Sequence, residues 1–229
     1  MASQLIGSKY KILNEMTESS CISGTQLIDG PVGQLELLLE YPDNCPDSKP
    51  LAIFCHPHPL YGGSMKNKVV HMLSRAVNDL GLPSVRFNFR GVGQSEGEFD
   101  DGKGELDDLQ AVVNWAKTHH GDSPIWLGGF SFGSYIALKG HKLAKAEKLL
   151  LVAPSVTLYD MADYLDVQIP WWVIQGGQDE VIDPQAVDLW VKQHPTPPIY
   201  EWFEPGSHFF HGQLNFLRDY VKRVWQDSL

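Results

Sequence analysis

A chain of 229 residues in which 43% are hydrophobic, with 7 Trp, 8 Tyr and 10 Phe among them, can bury a sizeable core in one α/β domain. A formal charge of -10 with no Lys/Arg cluster argues against nucleic acid or an anionic membrane surface as a partner. No apolar run approaches the roughly 18 residues of a spanning helix, and the first 25 residues lack a basic start leading into an apolar core. The three cysteines, Cys21, Cys45 and Cys55, form neither a disulfide framework nor a zinc-type spacing, so a soluble cytoplasmic protein is expected.

In chain order, residues 1–19 are polar and weakly patterned and read as a flexible arm, leaving residues 20–229 for a single domain. Residues 21–28 and 34–41 read as two strands of an antiparallel edge hairpin, joined by Asp29, Gly30, Pro31, Val32 and Gly33. Residues 51–55 are apolar throughout, as in a strand buried on both faces, and lead into the loop HPHPLYGG over 56–63. A helix over 67–80 follows, with Val69, Val70, Leu73, Ala76, Val77 and Leu80 on one side. Next come a strand over 83–89, a glycine-rich loop over 90–104 and a helix over 105–119. The remaining strands fall at 125–129, 147–153, 171–175 and 199–203, with helices after Ser131, over 184–194 and over 214–225. Strand and helix alternate in a way that requires right-handed crossovers and a mostly parallel sheet of about eight strands, with helices on both faces.

Gly129, Phe130, Ser131, Phe132 and Gly133 spell G-x-S-x-G between an apolar strand and a helix. That is the context in which a serine sits on a sharp turn with its hydroxyl above the sheet, and in which the flanking glycines let strand and helix approach. A serine hydroxyl is a weak nucleophile unless a base takes its proton and a carboxylate orients the base. In this type of fold the order is Ser, Asp, His. Asp179 follows the strand over 171–175 directly and is preferred as the acid. Asp183 precedes Pro184, as a helix N-cap does, and reads as structural. His208 lies in the loop after the last strand and is preferred as the base over His211, which abuts the final helix. One amide donor for an oxyanion is expected from Phe132 and another from the 56–63 loop, where Pro57 and Pro59 have no N–H and His58, Leu60 and Tyr61 remain, with His58 placed best. His56 reads as a buried hydrogen-bonding residue that shapes this loop.

HPHPLYGGSMKNKVV over 56–70, RFNFRGVGQSEGEFDD over 86–101, GFSFGSY over 129–135 and SHFFHG over 207–212 resemble a family of small bacterial α/β-superfamily hydrolases related to dienelactone hydrolases. The resemblance runs from about residue 25 to the C-terminus and implies an α/β-hydrolase fold with Ser131, Asp179 and His208 as a triad. Dienelactone hydrolases proper use a cysteine nucleophile where this chain has Ser131, so the resemblance does not extend to dienelactone chemistry.

Residues 153–169 are too few for a lid domain, which predicts an open site lined by Tyr61, Phe132, Tyr159 and Phe209 and suited to small or accessible esters. No metal or cofactor is called for. His56, His58, His208 and His211 could suggest a metal site, but the two prolines stiffen that loop and no carboxylate stands at a ligand spacing. A thioesterase- or peptidase-type acyl hydrolase, and a non-catalytic binding protein that kept the fold, are the alternatives.

Overall fold

The computed structural model describes residues 23–42 and 49–226, so the expected arm over 1–19 lies outside the described residues. Eight strands form one sheet in the order β1-β2-β4-β3-β5-β6-β7-β8. The strands are β1 (Gly24–Gly30), β2 (Gly33–Glu40), β3 (Leu51–Cys55), β4 (Ser84–Phe87), β5 (Ile125–Phe130), β6 (Lys148–Val152), β7 (Trp171–Gly176) and β8 (Ile199–Phe203). β1 pairs antiparallel with β2, and β2 antiparallel with β4; every other pairing is parallel.

The period-2 alternation of the central strands divides the core in two. Leu51, Ile53 and Cys55 of β3 face one layer, while Ala52 and Phe54 face the other. The first layer is closed by helices α2 (Gly104–His120), α3 (Phe132–Ala144) and α4 (Pro184–Lys192), through residues such as Val112, Ile136 and Val187. The second is closed by α1 (Lys68–Asp79) and α5 (Leu214–Gln226), with Trp225 fully buried against Phe54 and Trp126. Among the described residues no helix is long and apolar enough to cross a membrane.

Two expectations need adjusting. The first hairpin closes more tightly than a five-residue link, because Gly30 pairs with Gly33 and only Pro31 and Val32 form the turn. β4 stops at Phe87 rather than Phe89: the Asn88 amide still donates to the Glu36 carbonyl of β2 at 2.8 Å, but the Phe89 amide turns to His56 Nε2 at 3.1 Å, and the Asn88 side chain accepts from the Met65 amide at 2.8 Å and donates to Glu36 at 2.7 Å. The segment over 153–170 contains a single 3-10 turn, Ala162–Tyr164, and no lid domain.

His56 is fully buried at the end of β3 and fastens the chain there. Nδ1 lies 2.6 Å from the carbonyl of Pro57 and so carries the proton, leaving Nε2 to accept the Phe89 amide at 3.1 Å. Burial, opposed in part by the Pro57 carbonyl, pulls this ring from its ordinary 6.5 down to about 4. The unfolded ring takes up a proton that the folded ring refuses, so stability intact above pH 6.5 drains away as the pH falls toward 4. At pH 5 the loss from His56 alone should be about 2 kcal/mol. Urea unfolding of His56→Asn should show a less stable protein at neutral pH with a shallower decline down to pH 5; an unchanged slope would contradict this reading.

Candidate active site

Ser131 occupies the turn between β5 and α3 at φ 55° and ψ -118°, a region that residues with a Cβ rarely adopt. Its surroundings enforce that conformation. Its N–H donates to the Val152 carbonyl at 2.9 Å, and its carbonyl accepts from Ser134 N at 2.9 Å and from Ser155 Oγ at 3.3 Å. A Cβ at position 129 would overlap the Gly133 carbonyl, and one at 133 would overlap the carbonyls of Cys55 and His56, as anticipated for an elbow of this kind.

The structure brings Ser131, His208 and Asp179 together, although they lie far apart in sequence. His208 Nε2 is 3.1 Å from Ser131 Oγ, and Nδ1 is 2.9 Å and 3.1 Å from the two Asp179 oxygens. A carboxylate only accepts, so Nδ1 carries the proton and Nε2 is free to accept from the serine hydroxyl. Asp179 is itself held on both oxygens: Oδ1 accepts the amides of Ile182 at 2.8 Å and Val181 at 2.9 Å, and Oδ2 accepts Gln175 Nε2 at 3.0 Å. Burial pushes its carboxyl up, but the His208 ring and these amides outweigh burial and hold it below the usual carboxylate range. Neither side chain of the His208–Asp179 pair is open to water. A hydroxyl bonded to an imidazole whose far nitrogen donates to a buried carboxylate is arranged to lose its proton as it attacks.

The 56–63 loop lies beside this arrangement. Leu60 N donates to His58 Nδ1 at 3.2 Å, and Tyr61 N donates to the His58 carbonyl at 3.2 Å. Of the three loop amides left open by the sequence, these two are thereby consumed, and His58 N–H is the one that the loop's own bonds do not engage among the described residues. Phe132 is the first residue of α3, so its N–H has no partner in the helix ladder. His58 and Phe132 pack ring to ring at 5.3 Å, and both line a cavity of about 460 Å³ that Ser131 and His208 also border. Tyr61, Tyr159 and Phe209 line it too.

A family model for the alpha/beta hydrolase fold matches residues 53–139. RP471, an uncharacterized protein of Rickettsia prowazekii, is 35% identical over 192 residues, 80% of each chain. An alpha-beta serine hydrolase homologue from Coxiella burnetii is 44% identical with a TM-score of 0.86, covering 90% of this chain and 99% of that one. XC6422 from Xanthomonas campestris, described as an a/b serine hydrolase without lid, is 41% identical with a TM-score of 0.86, covering 92% of this chain and 96% of its own. The chain belongs to the α/β-hydrolase fold family. Hydrolase chemistry is the function that this membership supports.

Within this α/β hydrolase, several supporting residues escaped the sequence reading. Gln175 is fully buried and steadies Asp179; a lone amide ending the apolar run of β7 was the available signal. Glu180 accepts the backbone N–H of His208 at 3.0 Å, tying the acid's loop to the base's loop. Ser134 donates its hydroxyl to the carbonyls of Gly129 at 2.8 Å and Val152 at 2.9 Å, pinning the elbow to two strands.

Asp183 stands apart from this network. It caps α4, accepting Gln185 N at 3.0 Å, as its place before Pro184 suggested, and His211 is exposed. Asp183→Ala should lower the stability of the hydrolase by about 1 kcal/mol in urea unfolding. Its activity should persist.

Proposed function

We propose that this chain is a cytoplasmic serine hydrolase of small or accessible carboxylic esters that works through an acyl-enzyme intermediate and draws on no cofactor. The observation that carries this reading is the placement of His208 within hydrogen-bond reach of both Ser131 and Asp179. Ser131 Oγ attacks the ester carbonyl while His208 Nε2 takes its proton. Asp179 fixes the tautomer and stabilises the imidazolium that forms. The amides of Phe132 and His58 receive the developing oxyanion. His208 then returns the proton to the leaving alcohol, and a water deprotonated by the same nitrogen releases the acid.

A fluorophosphonate probe should label the protein on the peptide that contains Ser131. Ser131→Ala keeps the elbow's glycines and should remain folded while hydrolysis of short acyl esters drops roughly a million-fold. His208→Ala should lose a similar amount, and Asp179→Asn on the order of ten-thousand-fold. If Ser131→Ala turned these esters over at the unmutated rate, the non-catalytic binding reading would replace this one.

A further inference from the structure

The residues that line the cavity beside Ser131 include no Lys, Arg, Asp or Glu. Two of its polar side chains are engaged by the protein itself. Asn67 Oδ1 caps α1 by accepting Val69 N at 2.9 Å, and Ser155 Oγ donates to the Ser131 carbonyl. The mouth, by contrast, is built from apolar groups left open to water: Tyr61 is 85% exposed, Leu158 56%, Val181 47% and Phe209 37%. These make up four of the ten large hydrophobic side chains that are most exposed among the described residues. Such concentration at one place marks a surface waiting for an apolar ligand.

The charges just behind the lining are mostly of one sign. Asp101 acts on His58, Tyr135 and Tyr159; Glu105 acts on Tyr159 and Asp160 on Tyr135, which stacks on Tyr159 at 4.7 Å. Glu180 adds a carboxylate at the backbone of His208. The nearby cation, Lys139, is turned to the Gly102 carbonyl at 3.1 Å and the Tyr135 hydroxyl at 3.4 Å. Lys66 and Lys68 flank Asn67 without lining the cavity, and Arg90 is paired with Asp108. A chain of net charge -10 strengthens the same field.

We propose that the site selects uncharged esters with an apolar acyl chain and rejects esters whose acyl chain carries a carboxylate. The inference rests on the esterase reading above and sharpens it to a substrate class. An anionic substrate would leave water for a cavity whose lining offers it no cation, under repulsion from Asp101, Asp160 and Glu180. A neutral apolar ester instead covers Leu158, Val181 and Phe209 as it binds.

The test compares 4-nitrophenyl methyl adipate with 4-nitrophenyl hydrogen adipate at neutral pH, using Ser131→Ala to subtract spontaneous cleavage. The two differ by one methyl cap and one negative charge. The neutral diester should show the higher kcat/KM by at least about tenfold, with most of the difference in KM. Roughly 1 M salt should narrow the gap, because screening then acts over about 3 Å. Leu158→Arg and Asp101→Asn should each raise kcat/KM for the monoanion relative to the diester. Equal kcat/KM for the two esters, or preference for the monoanion, overturns the proposed selectivity while leaving esterase activity standing. Hydrolysis of neither ester above the Ser131→Ala background overturns the esterase reading, and the selectivity with it.

Discussion

The close approach of α3 to the ends of β3 and β5 is the constraint on which the site depends. Gly133 rests on the carbonyls of Cys55 and His56, and Gly129 rests on Gly133, so a side chain at either glycine would push the elbow open. Ser131 is held at φ 55° by that packing and by its bond to Val152, at a strain on the order of 1–3 kcal/mol that the surrounding bonds offset. The same contact places Phe132 N–H at the start of α3 immediately beside the loop that leaves β3. One packing event therefore aims the hydroxyl and brings the start of α3 against the loop that leaves β3. His56 secures the other flank by joining the end of β3 to Phe89.

A second layer of polar contacts holds the His58 loop and the chain that follows it. Arg86 is paired with Glu40 at 2.8 Å and donates to the Met65 carbonyl at 2.6 Å, while Asn88 receives the Met65 amide. Glu36 collects Asn88 at 2.7 Å, the Gln94 amide at 2.9 Å and the Gln94 side chain at 3.2 Å. Ser95 closes the set by donating to the Asn88 carbonyl and accepting the Glu36 amide. Burial pushes the Glu36 and Glu40 carboxyls up, and their hydrogen bonds more than reverse that. Arg90 and Asp108 form a nearly dry pair in which the Asp108 carboxylate also accepts the Arg90 amide. A buried ion pair of this kind contributes little net stability, but removing either partner strands a charge, so it fixes one arrangement of the 90–104 loop.

The architecture was legible because a strand buried on both faces is a strong signal: the run over 51–55 begins and ends where β3 does, and the run over 199–203 matches β8 although that edge strand is only partly buried. Ser131, Asp179 and His208 could be selected because the fold sends the carboxyl ends of β5, β7 and β8 to one edge. Asp183 could be set aside because Asp before Pro is a capping pattern, and it caps. The end of β4 was not legible, because Asn88 and Phe89 have the composition of a strand but their polar atoms find partners on β2 and at His56. The sequence favoured His58 over Leu60 and Tyr61 only by its place two residues past the strand. That choice turns on which amides the 3-10 turn at Pro59–Tyr61 consumes, and a hydrogen bond of turn geometry leaves no periodic trace. Glu180 acts on the base through a contact between loops far apart in sequence, and Gln175 on the acid across the turn that follows β7, neither of which single-residue patterns record.

That the described residues form no lid domain changes where preorganisation must reside. A hydrolase that closes over its substrate can assemble the site on binding and expel water in the same movement. Here the His208–Asp179 pair is sealed by its own loops, with Phe130 and Phe209 against the His208 ring at 5.0 Å and 4.9 Å, while Ser131 faces an open cavity. The scaffold thus shields the charge that would form on the imidazole, but it leaves the acyl side wet until a substrate arrives. Water exclusion at the carbonyl then falls to the substrate's own apolar groups as they cover Tyr61, Leu158, Val181 and Phe209. Under the proposed function, an ester with little apolar surface would bind weakly and also leave its oxyanion in a higher dielectric, where the amides proposed as its donors, those of Phe132 and His58, would stabilise it less. On this reading, recognition and transition-state stabilisation draw on the same contacts, which is why an apolar rim can serve in place of a lid.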